Sequence, residues 1–439
     1  MVRGARQVGK SYLVKLFAGE CFEHLIEIDF ERDPDLASLF ASRRPSDIVP
    51  LLETQFDARI EPGSCLLFLD EIQAAPDVFI CLRYFREELP GLHVIAAGSL
   101  LDNALAQKAF SVPVGRIEYL HLGPMQFEEY LIAAGHQGLV DFVTRYRPGD
   151  RIPEALHQKL LAQLRRFLHT GGMPEAVEAI LDSGSLRDGD IVKQSILSTF
   201  QDDFGKYGRR VDPLRLAKVF RKLPQLVGRR FKYVQVDRHE RSKDLAAALD
   251  LLCLARVAYR VCHSSASGLP LAAQANERLF KVLFLDVGLM ARALGLDLRE
   301  IERADDVMLV NAGAMAEQLV GQHLLYSAQP YEEPELHFWA REKKSALAEV
   351  DYVIADRTRI VPVEVKAGKT GRLKSLHVFL ADKGLAHGVR LDSRPPSVLR
   401  TSMTLPDGRE TPFELLSLPL YMVGQLRRLY REWTEKGNP

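Results

Sequence analysis

Gly4-Ala5-Arg6-Gln7-Val8-Gly9-Lys10-Ser11 is the stretch that decides the fold at the front of this chain. It fits GxxxxGK[ST] at every constrained position. In such a loop, successive backbone N–H groups turn inward around a polyphosphate. Glycine permits the close backbone approach and the unusual dihedrals this requires. The helix that follows from about Lys10 directs its positive end at the same phosphates. Lys10 is expected to reach the β and γ oxygens, and Ser11 to offer a hydroxyl to Mg²⁺. The competing reading is a chance glycine-rich turn, which gives no reason for a matching second motif downstream.

That second motif is Leu66-Leu67-Phe68-Leu69-Asp70-Glu71. The apolar residues drive a strand into a sheet, and two carboxylates emerge at its C-terminal end, where ligands bind in open α/β sheets. Asp70 is expected to hold Mg²⁺ through water, and Glu71 to polarise an attacking water. Ser99 ends the next apolar strand, where its hydroxyl would meet the γ-phosphate or the attacking water; a small residue ending a strand for turn reasons is the alternative. Arg116 is a candidate γ-phosphate finger or sensor, with a solvated arginine as the other reading.

Working outward, residues 24–30, 65–72 and 93–101 read as strands, and 34–58 and 77–89 as helices. This alternation predicts a parallel sheet covered by helices over residues 1–135. A phosphate-binding loop normally follows a strand, and in this class of sheet that strand is central. Only Met1-Val2-Arg3 precede Gly4, fewer than the usual strand of about five to six residues. The first strand is therefore expected to be missing, with the chain beginning downstream of its true start or the domain impaired.

Residues 136–310 carry helical patterns at 155–169, 174–182, 190–204, 213–226 and 241–253, with a β-like segment at 229–236. A helical lid with a winged-helix unit is the expectation. From 311 to 439, a helix (312–326), three strand-like runs (335–341, 348–354, 359–368) and a helix near 373–383 form a compact α/β module.

GARQVGKS, LLFLDEIQ and GRIEYLHLGPMQFEEYL (115–131) together resemble prokaryotic ATPases of the AAA superfamily that carry a C-terminal domain without an assigned function. The similarity continues through FLHTGGMPEAV (167–177), TFQDDFGK (199–206), LFKVLFLDVGLM (279–290) and AEVDYVI…VPVEVKAG (348–368). The resemblance implies an ATP-binding AAA-type domain with the usual Mg²⁺ requirement. It supplies no mechanism for GGMP or FLDVGL.

Asp351 and Glu364-Val365-Lys366 fit the D…(D/E)xK pattern of restriction-endonuclease-like folds. Residues two apart on a strand share a face, so Glu364 and Lys366 point the same way and Val363 and Val365 face the core. Opposite Glu364 across a hairpin, Asp351 would bring two carboxylates within reach of one hard cation, with Lys366 orienting water beside it. The family pattern adds Glu317, on the helix 312–326, as a further acid. An exposed Glu/Lys strand face is the bland alternative.

The 439 residues contain 58 Lys+Arg and 58 Asp+Glu, which excludes a dominant basic or acidic tail. The 5 cysteines are scattered without a CxxC pair, and no His/Cys ligand spacing or GxSxG elbow appears. No apolar stretch approaches the ~20 residues of a membrane span, so a cytoplasmic protein is expected. The leading expectation is an Mg²⁺-dependent ATPase coupling its nucleotide state to the nuclease-like domain. Two alternatives stay open: an ATP-gated nuclease touching nucleic acid through the middle or C-terminal region, and a non-hydrolysing ATP switch for a protein partner. A homo-oligomer is left open.

Overall fold

The computed structural model describes residues 1–98, 115–207, 211–296, 312–341, 348–366, 373–404 and 410–436. The chain divides into two units. One comprises Met1–Gly123 with the short returns Asp250–Val257 and Gln329–Glu333; the other comprises Pro124–Leu249, Ala258–Ala328 and Pro334–Pro439.

In the first unit the strands are β1 (Val2–Arg3), β2 (His24–Asp29), β3 (Cys65–Asp70), β4 (His93–Gly98) and β5 (Leu120–His121), in the order β2-β3-β4-β1-β5. Every pairing is parallel. Strand β3 is buried at all positions because both faces are covered. Cys65, Leu67 and Leu69 join the core formed with Ile48 and Leu52 of the helix Pro45–Phe56 and with Val78, Phe79 and Phe85 of the helix Pro76–Glu88. Leu66 and Phe68 face the other way, against Val14 and Ala18 of the helix Lys10–Cys21. Burial of each such large apolar side chain contributes roughly 1.5–3 kcal/mol.

The expected gap at the first strand is corrected. Met1-Val2-Arg3 takes an interior place between β4 and β5, with Val2 opposite Ala97 on one side and Leu120 on the other. Neighbours on both sides supply its ladder. The Leu120 N–H donates to Met1 O (2.8 Å) and the Leu122 N–H to Arg3 O (2.8 Å).

The second unit opens with helices Phe127–Ala133, Gln137–Arg145, Glu154–Thr170, Pro174–Ser183, Leu186–Asp202 and Pro213–Leu226. Its sheet has eight strands among the described residues: β6 (Ala258–Ser264), β7 (Ala275–Phe284), β8 (Leu336–Ala340), β9 (Glu349–Asp356), β10 (Arg359–Val365), β11 (His387–Asp392), β12 (Ser397–Thr404) and β13 (Glu410–Pro419). The order is β12-β13-β11-β10-β9-β8-β6-β7. Strands β8, β9 and β10 form an antiparallel meander, and the helix Lys374–Lys383 carries the chain across to β11, parallel to β10.

Two expectations differ from this arrangement. A boundary at 310/311 does not isolate the C-terminal strands, since β6 pairs with β8 and brings β7 into the same sheet. Residues 229–236 are not a strand. Tyr233–Gln235 is a short 3-10 turn, and Arg230 makes an isolated bridge to Lys281. Aromatic packing holds the segment instead, with the Phe231 ring 5.3 Å and the Tyr233 ring 6.3 Å from that of Phe280.

GGMP and FLDVGL meet inside this unit. The helix Glu154–Thr170 ends at Gly171, whose φ of 77° suits glycine. The Gly172 N–H then donates to Asp286 Oδ2 (2.7 Å), while Asp286 Oδ1 caps the helix Val287–Ala293 by accepting the Leu289 N–H (2.9 Å). Gln322 Nε2 donates to Asp286 Oδ2 as well (3.2 Å). A Cβ at Gly172 would run into the Met125 carbonyl, and one at Gly288 into that of Thr170. Asp286 is wholly buried and accepts from all three donors, so the motifs form a structural lock. Gly172→Ala or Asp286→Ala is expected to cost roughly 2–4 kcal/mol in thermal or urea unfolding. Gly138→Ala, with open space around its Cβ, should be neutral or stabilising by up to ~1 kcal/mol.

Candidate functional site

Strand β1 ends at Arg3 and the helix begins at Lys10, so residues 4–9 make the turn between them. Gln7 (φ 64°) and Gly9 (φ 93°) lie in the left-handed region, which turns backbone N–H groups into a concave nest. Gly4 is confined by close approach, because a Cβ there would collide with the Leu122 carbonyl oxygen.

Lys10 is 7% exposed, and its Nζ donates to Ala5 O (2.8 Å) and Gly4 O (3.2 Å). Burial lowers its pKa, partly offset by the carboxylates of Glu71 and Asp70. Ser11 Oγ donates to Asp70 Oδ2, and the Glu71 N–H to Asp70 Oδ1 (2.9 Å). Burial raises the Asp70 pKa, opposed by those two hydrogen bonds. Glu71 has φ 47°, and its Oε2 accepts from Gln73 Nε2. Arg6 pairs with Glu31 (3.1 Å).

The structure thus gathers Gly4, Ala5, Arg6, Gln7, Val8, Gly9, Lys10, Ser11, Asp70 and Glu71 at the carboxyl edge of the sheet. A hydroxyl and a carboxylate already in mutual contact form a hard-oxygen pair. That pair fits Mg²⁺, which keeps most of its shell as water and phosphate oxygens. Arg116 is not brought there within this chain. It pairs with Glu87 (3.0 Å), at the end of the helix that leads into the start of β4. That is the amino edge of the parallel sheet, opposite the loop. Ser99 lies outside the described residues.

The C-terminal constellation also assembles, with additions. Val363 pairs with Tyr352, and the Val365 N–H donates to Asp351 Oδ2 (2.9 Å), so Asp351 and Glu364 lie across one hairpin. Lys366 Nζ pairs with Glu364 Oε1. Glu317 projects into the same cluster from the helix Ala312–Leu325. Two members escaped sequence reasoning. Glu349 shares the strand face of Asp351, which the alternation Glu349-Val350-Asp351 signals. Lys281 lies 2.8 Å from Glu349 Oε1, 3.1 Å from Glu317 Oε2 and 3.4 Å from Asp351 Oδ1. Its signal was a lone lysine inside the apolar run Leu279–Leu285.

A divalent ion does not fit this second cluster as it stands. Among the described residues, no group of three or more His, Cys, Asp or Glu is placed to hold a metal ion. Burial, aided by Asp351, raises Glu317 to about 8 and Glu364 to about 7. Burial alone would lower Lys281, but Glu317, Asp351 and Glu349 outweigh it and raise it well above its ordinary value. The folded chain therefore retains protons on the Glu317 and Glu364 carboxyls that an unfolded chain releases near 4.5. Stability should fall as pH rises from about 4.5 to about 8, with the Glu364 part complete near 7. In urea unfolding across that range, Glu364→Gln should flatten the slope; an unchanged slope would assign it elsewhere.

Residues 1–131 match a family model described as an AAA domain; residues 161–300 and 312–409 match two models described as domains of unknown function, DUF8612 and DUF4143. No curated protein matches the chain. Among solved structures, the Aeropyrum pernix ORC2 protein (ADPNP–ADP complexes) aligns at TM-score 0.31 and 12% identity, over 70% of this chain and 88% of that one. The Aeropyrum pernix ORC1 protein in complex with DNA aligns at TM-score 0.26 and 14% identity, over 67% and 86%. No described helix is long and apolar enough to cross a membrane. Loop motif, strand order and family match together support an AAA-type, ATP-binding P-loop domain at the front of the chain.

Proposed function

We propose that this chain is an Mg²⁺-dependent ATPase whose nucleotide state is coupled to its nuclease-like C-terminal strands. The observation that carries the ATPase reading is the convergence of Lys10, Ser11, Asp70 and Glu71 around one amide-lined loop. The loop amides and the N-terminus of the helix Lys10–Cys21 bind the phosphates. Lys10 exchanges its carbonyl partners for β and γ oxygens. Ser11 and Asp70 hold Mg²⁺, which supplies charge neutralisation on the phosphates when bound. Glu71 accepts the proton of the attacking water, and Gln73 restrains its carboxylate until then.

The restriction-endonuclease-like reading is supported by topology. A helix carrying Glu317, the meander β8-β9-β10 carrying Asp351 and Glu364, a crossover helix and the parallel β11 follow in that order. Coupling would act by a change in the relation of the units on hydrolysis.

Lys10→Ala is expected to weaken ATP binding at least tenfold by calorimetry, an effect on the order of 1.4 kcal/mol or more. Glu71→Gln should keep binding and lower turnover by roughly 10²-fold or more. A Glu71→Gln chain that hydrolyses ATP at the wild-type rate would remove Glu71 as the base. An active Lys10→Ala chain would remove this loop as the site.

A further inference from the structure

The acidic pocket of the second unit already contains a cation. Lys281 comes from β7, outside the helix–meander–helix–strand arrangement that supplies the acids, and is 2% exposed. Its ammonium reaches Glu349, Glu317 and Asp351 at 2.8, 3.1 and 3.4 Å. Backbone pairing of β7 with β6, and the bridge to Arg230, hold the lysine on this side of the sheet. The Phe338 ring, 5.5 Å from Nζ, adds a cation–π wall.

Three more oxygens are committed as well. Glu349 Oε2 accepts from Arg230 Nε (2.8 Å), Asp351 Oδ2 from the Val365 N–H (2.9 Å), and Glu364 Oε1 from Lys366. Glu364 Oε2 is left, buried and without a hydrogen-bond partner. Four carboxylates (Glu317, Glu349, Asp351, Glu364) face three cations (Lys281, Arg230, Lys366). A single proton, held between Glu317 and Glu364, closes the balance. No divalent charge is needed.

Binding such an ion would require six or more oxygens at about 2.0–2.6 Å. With the ammonium held among these carboxylates, that shell cannot form. Removing the ammonium would leave Glu317 buried without its cation and Asp351 with only the Val365 N–H, beside Glu364, which is an environment that draws in a hard cation.

From this geometry we infer that Lys281 is the permanent cation of the pocket, that the wild-type chain takes no divalent ion there, and that its removal opens a divalent-cation site formed by Glu317, Asp351 and Glu364. This concerns the second unit alone and is independent of the ATPase reading.

The test uses the full chain without nucleotide. Mn²⁺ binding is followed by loss of the free-ion electron paramagnetic resonance signal, together with thermal unfolding. Wild type and Asp351→Asn should bind the same number of Mn²⁺ ions, and neither melting temperature should respond to Mn²⁺. Lys281→Met should bind one more ion than wild type and gain several degrees in melting temperature with excess Mn²⁺. The Lys281→Met/Asp351→Asn double variant should lose both effects. A Lys281→Met chain that folds only with Mn²⁺ present also supports the inference. A wild-type Mn²⁺ site abolished by Asp351→Asn would overturn it, as would a folded Lys281→Met chain binding no more Mn²⁺ than wild type. Should Lys281→Met fail to fold under either condition, the comparison of wild type with Asp351→Asn decides whether Lys281 excludes the ion.

Discussion

The phosphate-binding loop depends on two residues hydrogen-bonded from both sides. Val2 and Arg3 have no length with which to stabilise a strand, yet the ladders to β4 and β5 fix their direction and depth. The loop starts where that ladder stops. Gly4 passes too close to the Leu122 carbonyl for any side chain, and left-handed dihedrals at Gln7 and Gly9 complete the nest before the helix begins. Strand β3 sets the other half of the site. It is buried on both faces until it releases Asp70 and Glu71 at the same edge of the sheet. Position, more than any individual bond, makes four side chains from two distant segments into one site.

The chain contains two buried lysines near carboxylates, and their surroundings give them opposite characters. Lys10 donates to neutral carbonyls, with Asp70 and Glu71 near but not bonded to it, and burial lowers its pKa. Those partners are weak compared with phosphate, so exchange is downhill when an anion arrives. Lys281 is held by three carboxylates that outweigh its burial and raise its pKa. No ligand oxygen offers it a better environment. One lysine is poised to change partners and the other is fixed, and the difference follows from whether the nearest oxygens carry formal charge.

The phosphate loop and the LFLDE strand were legible because each acts through contiguous residues whose spacing is the chemistry. The strands and helices of the first unit followed from apolar runs and helical spacing for the same reason. Asp351, Glu364 and Lys366 were legible as a hairpin pattern, and Glu349 was within reach of the same two-residue alternation. Lys281 was not, because its partners lie 36 and 70 residues away and pairing of β6 with β8 creates the contact. Arg116 shows another limit. Its residue type suits a phosphate sensor, but only the structure shows it paired with Glu87 instead of beside the loop of its own chain. The segment 229–236 has strand composition, and packing against Phe280 overrode that preference.

GGMP and FLDVGL illustrate how a distinctive motif can carry structure alone. Their glycines are required by close backbone approaches to Met125 and Thr170, and their aspartate by the N–H groups it satisfies. All of Asp286 is buried, and burial raises its pKa against the hydrogen bonds that favour its charge. A carboxylate with that pKa direction invites a catalytic reading. Its oxygens accept from Gly172, Leu289 and Gln322, which ties it to the backbone around it. The same count separates Asp70, whose partners are a hydroxyl and one N–H at the mouth of a nest, from Asp286 in the core. Perturbed acidity marks burial in both, and what distinguishes Asp70 is its place beside the loop and Ser11.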